Sequence, residues 1–528
     1  MAKRKREDAL LQPGGARSGK TRKIAAVPGL LAQTHIQIVV GSYEKILHGI
    51  IAAIPAQVLQ PAKNKVGEKP TWKENVSRPN EDSFHEMSQE SNKDDPEVTF
   101  ADSFLFTAHT SAVRCLTLSP VPAQDDIAQK VVLATGSNDA RINLYTLSTT
   151  PPDPPKKGAV PLPSISGVKV SQNALNKELG YLNHHNSSIT ALCFPTRSKL
   201  LSASEDNTIA ISRTRDWTVL STIKAPTPKA QGRPSGDTAA PGEVPAGVND
   251  FAVHPSMKLM ISVGKGEKCM RLWNLVTGKK AGVLNFEKGM LHQVGEGKYG
   301  TGEGRRIIWD EAGEEFVVAF ERGAVAYDMD CKVRSRICPW PPSKVHQMCY
   351  VPNTGDENVL CVSTEDGRIL FFDTASQSDD VNGTEDTEDT TRQKDIPHAK
   401  LLAQMGGRAT GVASRVKDFA VLSSSSRNDG ALNNLVFVTG CSDGTIRLWL
   451  LSSGELDVAR EVATKEKIPQ VGHLLARYDT GNRITCLTAF IMNERVDTGS
   501  EAKEAEFGGF STGVKNDESD SEDSESDY

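Results

Sequence analysis

The stretch FVTGCSDGTIRLW, residues 437–449, determines the fold class of this chain. An apolar run alternates with a period of two, a turn of small and acidic residues follows at Asp443, and alternation resumes up to Trp449. Alternation on both sides of an Asp-Gly turn places one face of each strand inward. The stretch therefore predicts a β-hairpin.

The same hairpin pattern recurs along the chain. Two clear copies are LATGSNDARINLY (133–145) and LLSASEDNTIAIS (200–212), and weaker copies occupy residues 36–48, 260–273, 316–327 and 360–372. A further alternating strand precedes six of the hairpins, at residues 113–118, 189–194, 248–253, 305–309, 345–350 and 416–422. The hairpin at 36–48 has none, whereas a spare strand at 483–490 follows the last hairpin.

This arrangement predicts a closed ring of blades. The spare strand supplies the part that the first unit lacks, so strands from the two ends of the chain share one blade. Such closure leaves no long sheet edge open. We therefore predict an all-β fold, a seven-bladed β-propeller over residues 31–495. It would be a single domain, because one blade cannot bury both of its faces alone.

The composition predicts uncollapsed segments between and beyond the blades. Hydrophobic residues are 38%, charged residues 24% and aromatic residues 6% of the 528 residues, which is thin for a folded chain of this length. Polar, proline-rich or acidic insertions, predicted to be disordered, lie at about 55–97, 149–170, 225–246 and 377–395. No apolar run reaches the roughly 18–20 residues of a membrane helix, so we expect neither a spanning nor a secreted protein. The nine cysteines form no Cys-x-x-Cys pair, which favours a reducing compartment without zinc or disulfides.

The two tails carry opposite charge. Residues 1–30 are predicted to be a disordered basic arm, and residues 496–528 a disordered acidic tail. The arm is interpreted as a nuclear-targeting segment or as a flexible contact to RNA phosphates, with a merely solvated terminus as the alternative. Its basic residues are Lys3, Arg4, Lys5, Arg6, Arg17, Lys20, Arg22 and Lys23. In the tail, Ser519 and Ser524 each have an acid three residues on, which suits an acidophilic kinase.

Three motifs suggest chemistry but lack the context that the chemistry needs. Residues 14–21 match a phosphate-binding loop, and residues 295–300 match a dinucleotide glycine pattern. Neither has a strand before it and a helix after it. The second is expected to be a flexible loop between blades, with Lys298, Arg305 and Arg306 as candidate phosphate contacts. His184 and His185 have no further metal ligands at suitable spacing.

No constellation of residues supports catalysis. We therefore expect no enzyme, cofactor, metal or small-molecule substrate. The default for such a propeller is a scaffold on which partners dock. A nucleotide-dependent enzyme that uses Lys20 is the alternative that this interpretation rejects.

Several of these residues resemble the marks of WD-repeat proteins. The resemblance implies a buried hydrogen-bonded set of a loop histidine, a turn aspartate, a strand Ser or Thr and a tryptophan, with a structural role. It rests on His109, Asp139, His185, Asp206, Trp273, Asp366, Asp443 and Trp449. Other blades depart from the pattern and are expected to lack the full set and to be looser. Their substitutions are Tyr145, Ser212, Tyr327 and Phe372 for Trp, and Glu44 and Glu321 for Asp.

A closer resemblance covers the whole propeller but not the insertions. Residues 200–206 with 213–217, and 248–255 with 271–279, resemble blades of one WD-repeat family. That family comprises the fungal Mak-eleven protein and the animal p21-activated-kinase-interacting protein. The resemblance implies a nucleolar assembly factor of the large ribosomal subunit. Such a factor would bind pre-60S particles, recruit a ribosomal-protein-like partner, support rRNA processing and lie near rRNA and other assembly factors. The alternative is a signalling adaptor that binds and inhibits a p21-activated kinase.

Overall fold

The structure is a computed structural model that describes most of the chain between residues 33 and 493. The described ranges are 33–59, 97–122, 129–152, 169–171, 173–226, 247–297, 300–352, 358–377, 395–424, 434–463 and 468–493. The basic arm, the acidic tail and most of each predicted insertion lie outside these residues. Within the described ranges no helix is long and apolar enough to cross a membrane.

The described chain is built from short β-strands. The first half contains β1 (Gln33–Ser42), β2 (Ile46–Pro55), β3 (Thr99–Thr107), β4 (Val113–Leu118), β5 (Lys130–Ser137), β6 (Ile142–Ser148), β7 (Lys169–Val170), β8 (Lys177–Leu182), β9 (Ile189–Thr196), β10 (Lys199–Ser204), β11 (Thr208–Arg213), β12 (Val219–Lys224), β13 (Val248–Val253), β14 (Leu259–Gly264), β15 (Cys269–Asn274) and β16 (Lys279–Asn285). The second half contains β17 (Arg306–Trp309), β18 (Glu315–Ala319), β19 (Ala324–Asp328), β20 (Val333–Ile337), β21 (Val345–Tyr350), β22 (Val359–Thr364), β23 (Arg368–Gln377), β24 (Ala399–Gly406), β25 (Val416–Ser424), β26 (Asn434–Cys441), β27 (Thr445–Ser452), β28 (His473–Asp479) and β29 (Ile484–Ile491).

These strands form seven antiparallel sheets, each of which is one blade. Blade 1 has the order β29-β1-β2-β3, and the short β7 adds to β3 in parallel. Blade 2 is β4-β5-β6-β8, and blades 3 to 7 each take four consecutive strands, beginning at β9, β13, β17, β21 and β25. The first strand of each blade contacts those of its two neighbours in a continuous ring. The fold is therefore the predicted seven-bladed β-propeller.

The ring closes as the sequence predicted. Strand β29 from the end of the described chain pairs with β1 from its beginning, with Ile36 opposite Ile491 and Val40 opposite Leu487. The hydrophobic core lies between blades: Ile38 and Ile50 of blade 1 pack in one buried cluster with Val438 and Leu448 of blade 7. Burial between neighbours explains why the blades are stable only as a ring.

Glycines let neighbouring blades approach closely at two of these junctions. A Cβ on Gly136 of blade 2 would lie 2.6 Å from Cγ2 of Ile189 in blade 3. A Cβ on Gly41 of blade 1 would lie 2.7 Å from Cγ1 of Val113 in blade 2. Both distances are too short for real carbon atoms, so the absence of a side chain is required there.

Helices are few and short in the part of the chain that the structure describes. They are α1 (Ala56–Leu59), α2 (Lys288–Gln293), α3 (Ser453–Val462) and a 3₁₀ turn (Arg408–Thr410). Helix α3 begins with a capping box between Ser452 and Glu455, which satisfies its first N–H groups. The described fold also extends into three predicted insertions, since Pro55 ends β2 and both Thr149 and Ala225 are buried.

Candidate functional site

Strand order gives the propeller two chemically different faces. Strands alternate in direction within a blade, so the turns between second and third strands share one face with the connections between blades. We call this the upper face. The other turns form the lower face, where β1 begins, β29 ends and the chain leaves the described residues after Leu59 and again after residue 152. The predicted loop histidines and turn aspartates all belong to the upper face.

Blades 2 and 3 contain three of the four members of the hydrogen-bonded set that the resemblance implied, without the tryptophan. In blade 2, Nδ1 of His109 lies 3.1 Å from Oδ2 of Asp139, and Nε2 lies 2.8 Å from Oγ1 of Thr135. In blade 3, Nδ1 of His185 lies 3.2 Å from Oδ2 of Asp206, and its Nε2 lies 2.8 Å from the hydroxyl of Ser202. His184 reaches the same hydroxyl at 3.0 Å, so this histidine pair is structural.

The protonation states in these two sets follow from burial and hydrogen bonding. Burial lowers the pKa of His109 and of His185 and outweighs the attraction of their aspartates. Burial also opposes ionisation of Asp139 and Asp206, but hydrogen bonds from neighbouring N–H and hydroxyl groups outweigh it and lower the pKa of both carboxyls. A neutral imidazole therefore faces a carboxylate, which is a fixed structural pair rather than a proton relay.

Blades 4 and 7 have a buried arginine where blades 2 and 3 have the loop histidine. Trp273 donates to the Ser262 hydroxyl at 2.8 Å, and Trp449 donates to the Thr439 hydroxyl at 3.3 Å. Neither blade has the loop histidine. In its place a buried arginine two residues before the tryptophan pairs with a turn carboxylate: Arg271 with Glu267, and Arg447 with Asp443. No blade in the described ranges therefore combines all four predicted members.

Blade 6 contains a third such arginine pair. Asp366 accepts from Nε of the buried Arg368 at 2.8 Å. The role of all three arginines was not predicted from the sequence. Their signal was an arginine two to four residues after the turn carboxylate in blades 4, 6 and 7, which lack the loop histidine.

The blades without tryptophan are filled in other ways. Tyr327 and Phe372 are each only 1% exposed, and Tyr327 stacks on Phe316 with ring centres 5.1 Å apart. Blade 3, with Ser212 at this position, still has its complete histidine set. The substituted turn glutamates also bind: Glu321 pairs with Arg305 and Lys344, and Glu44 accepts the N–H of Arg483. Buried aromatic packing thus takes the place of the tryptophan in blades 5 and 6.

A β-bulge recurs at the upper end of the innermost strands. The pairing register shifts around the second residue in six of the seven. At three of these bulges the side chain binds the backbone of the next blade. Thr190 donates to the carbonyl of Val248 at 2.6 Å, Asn249 to that of Gly304 and Thr485 to that of Val113. Bulges re-aim side chains, and here they link neighbouring blades around the central channel.

The other bulged positions are basic. They are Arg114, His346 and Lys417, and in blade 5 the corresponding residue is Arg305, because the next residue, Arg306, takes the pairing position of Asp250. With Arg306 they lie at the upper ends of innermost strands, where Arg114, Arg305 and Arg306 line one pocket, and we call these five residues the channel mouth. Arg306 lies 3.9 Å from the buried Asp250, and Arg305 lies 3.3 Å from Glu321. Among the described residues Lys417 has no ion-pair partner.

The channel mouth is rich in basic residues, of which Arg114 pairs with Glu205 at 3.5 Å. Burial, helped by Lys417, Arg415, Arg305 and Lys344, lowers the pKa of His346 to about 4. Its buried Nε2 atom has no hydrogen-bond partner among the described residues. Burial likewise lowers the pKa of Lys417, with help from Arg415 and Arg483. Nearby cations thus contribute to both shifts after burial, and an anion bound beside Lys417 would relieve the repulsion among them.

Part of this site was predicted from the sequence. Arg305 and Arg306 belong to the channel mouth, and their contact with phosphate stays a prediction, whereas Lys298 lies outside the described residues. So do all eight basic residues of the arm and the two tail serines. The glycine pattern at 295–300 precedes strand β17, as expected, and its Glu296 accepts the N–H of Glu321 at 2.8 Å.

The described residues hold no group of three or more His, Cys, Asp or Glu that could bind a metal ion. All nine cysteines are free thiols. What the upper face offers is a group of basic residues on a rigid frame, in which Arg114, Arg305 and Arg306 are ion-paired.

The fold and the buried sets define the class: this is a WD-repeat β-propeller. The sequence signature described as WD domain, G-beta repeat matches residues 102–146, 176–211 and 414–449. Individual relatives narrow the comparison further, to named proteins. The chain is 27% identical to Protein MAK11 of Saccharomyces cerevisiae over 407 residues, 74% of this chain and 75% of that protein.

Two further relatives are named for kinases. The chain is 25% identical to the p21-activated protein kinase-interacting protein 1-like of Xenopus laevis over 389 residues, 74% of each chain. It is 24% identical to Shk1 kinase-binding protein 15 of Schizosaccharomyces pombe over 61% of this chain and 65% of that protein. The resemblance to the Mak-eleven and p21-activated-kinase-interacting proteins is thereby confirmed.

Proposed function

We propose that this chain is a non-catalytic scaffold in the assembly of the large ribosomal subunit, with the channel mouth as its docking surface. In this role it binds pre-60S particles in the nucleolus and recruits a ribosomal-protein-like partner during rRNA processing. The observation that carries the proposal is the similarity to Protein MAK11 over 407 residues, because it extends over far more than one blade. The resemblance of blades 3 and 4 to this family is the reason for proposing a role in ribosome assembly.

The electrostatics of the channel mouth support a particle rich in phosphate or acidic protein as the partner. Arg114, Arg306 and Lys417 sit on innermost strands, so the frame holds their charges in place before binding. Preorganised charge reduces the ordering cost of association and raises the rate of encounter. The basic residues at positions 3–23 would add a salt-dependent contact to RNA or a nuclear-import signal.

Sedimentation of a tagged full-length copy tests this proposal. A nuclear extract at low salt is separated on a sucrose gradient, and co-purifying proteins and RNA are identified by mass spectrometry and sequencing. The proposal expects the protein near 60S with precursor rRNA and assembly factors. A slowly sedimenting pool without precursor rRNA would contradict it.

The second candidate is an adaptor that binds and inhibits a p21-activated kinase. The names of the Xenopus laevis and Schizosaccharomyces pombe relatives favour it. It predicts that the full chain binds the regulatory region of such a kinase in a purified pull-down and lowers its activity. Absence of binding at micromolar concentrations would exclude it.

A further inference from the structure

An exposed tryptophan lies two residues before a segment that lines a basic groove on the upper face. Trp340 lies in the connection between blades 5 and 6 and is 62% exposed. The same connection lines the groove through Pro342, Ser343 and Lys344. On the other walls lie Arg322 of blade 5 and Arg408 of the connection between blades 6 and 7. We call this the Trp340 groove.

The loop that carries Trp340 is held rigidly. The buried guanidinium of Arg368 donates to the carbonyl of Trp340 at 2.7 Å and to that of Pro341 at 3.1 Å. Arg368 is itself fixed by Asp366. Prolines at 339, 341 and 342 restrict the backbone further. A large apolar ring is thus presented to solvent at low entropic cost, which is a property of binding surfaces.

The cations of the groove are available for a ligand. Arg322 and Arg408 are exposed, and neither has an ion-pair partner among the described residues. Two carboxylates also line the groove, but Glu365 pairs with Arg415 at 3.6 Å, and Asp366 is bound by Arg368. The groove therefore presents two unpaired guanidiniums and the Lys344 ammonium, which Glu321 shares.

We propose that the Trp340 groove binds single-stranded RNA, with a base stacked on the Trp340 indole and phosphates bound by Arg322 and Arg408. Stacking on an aromatic ring combined with cations along a groove is how proteins hold single strands without reading their sequence. Forked guanidiniums match the geometry of phosphate oxygens. An acidic peptide fits less well, because the face of an aromatic ring carries negative potential and repels a carboxylate.

This inference adds a ligand to the proposed function. It rests on that function only for the identity of the natural RNA, which would be precursor rRNA. The test uses the purified full chain and a fluorescein-labelled 12-nucleotide oligouridine, with fluorescence anisotropy as the readout. Trp340→Ala should weaken binding roughly 10-fold. Arg408→Ala should weaken binding and reduce the slope of log K against log salt by about 0.7. The basic arm contributes equally to all variants.

Matched controls come from other parts of the same ring. Tyr181, at the rim of blade 2, is 60% exposed and carries Arg141 over its ring, so Tyr181→Ala removes a comparable aromatic group. Arg215 is exposed in the β11–β12 turn on the lower face. Tyr181→Ala and Arg215→Ala should leave the affinity unchanged. Oligouridine should also quench tryptophan fluorescence in the unsubstituted chain but not in Trp340→Ala.

Three outcomes would overturn the proposal. The first is that the unsubstituted chain does not bind oligouridine. The second is that Trp340→Ala and Arg408→Ala bind it as tightly as the unsubstituted chain does. The third is that a charge-matched oligoglutamate peptide displaces RNA from the groove. If the variants lose RNA affinity but still sediment near 60S, the groove and the scaffold role both stand. If the unsubstituted chain binds oligouridine through Trp340 but never sediments near 60S, the groove stands and the assembly role fails.

Discussion

Asp418 accepts a hydrogen bond from the backbone N–H of Leu487, with 2.8 Å between Oδ2 and N. Its other oxygen accepts from Nε2 of Gln347 at 3.1 Å. One carboxylate thus joins innermost strands β21, β25 and β29, at the place where the two ends of the chain close the ring. Burial raises the pKa of Asp418, because the charged carboxylate loses its hydration there. Asp250 repeats the device by accepting the N–H of Ile307 in the next blade.

Removal of this bridge should weaken ring closure. Asp418→Ala leaves the N–H of Leu487 and the amide of Gln347 unpaired, so the free energy of unfolding should fall by about 2–3 kcal/mol. Asp418→Asn keeps an acceptor for Leu487 and should lose less. Urea unfolding followed by circular dichroism measures both. An unchanged midpoint for Asp418→Ala would show that this bridge does not stabilise the ring.

Arginine in place of the loop histidine gives a second prediction. Arg271 and Glu267 have side chains only 9% and 11% exposed. Arg271→Met leaves Glu267 uncompensated and should cost about 3 kcal/mol or more. The double variant with Glu267→Met should recover most of that loss, because an apolar pair can replace a buried ion pair. Additive losses in a thermal double-mutant cycle would mean that the two side chains do not interact.

Close approach of blades at glycine gives a third prediction. Gly136→Val would place side-chain carbon against Ile189. The overpacking should lower the free energy of unfolding by about 1–3 kcal/mol and with it the melting temperature. Gly282 also lies in a strand, β16, but has no heavy atom within 4 Å of a Cβ built on it. Gly282→Val is therefore the matched control and should melt like the unsubstituted protein. Equal melting of the two variants would contradict the proposed contact.

Crowding of cations around His346 gives a pH dependence. An unfolded histidine takes up its proton near pH 6.5, whereas burial and four nearby cations lower the pKa of folded His346 to about 4. The unfolded state binds more protons between these values, so stability falls as the pH falls from about 6.5 to 4. His346→Gln should reduce this decline in melting temperature. The exposed His473→Gln should not, and equal slopes for both variants would refute the assignment.

The sequence predicted the inner and middle parts of each blade but not its rim. Strands such as β4 and β22 are buried on at least one face, so their residues alternate or form apolar runs that a reader can detect. The outer strand β12 has one buried residue, Ile223, among six. It carries no such pattern and was not predicted. Its pairing with β11 depends on backbone hydrogen bonds that any residue can make.

The candidate site was predicted only in part for a related reason. Arg305 and Arg306 stood out because they are adjacent in sequence. The other members of the channel mouth come from separate blades, and only the ring brings Arg114, His346 and Lys417 together. Trp340 carried no repeat signal, because it lies in a connection between blades. It stands out because its ring is exposed and because Arg368 binds its carbonyl, and neither feature can be recognised in a sequence.

The central claim is that the channel mouth docks pre-60S particles, and sedimentation of Lys417→Glu tests it most directly. Lys417 lies among Arg415, Arg483 and His346, so a glutamate should be tolerated by the fold, which a melting curve checks. Arg215→Glu on the lower face is the charge-matched control. The account predicts that the unsubstituted chain and Arg215→Glu sediment near 60S, while Lys417→Glu moves to the slow fractions. Folded Lys417→Glu that remains near 60S would contradict it.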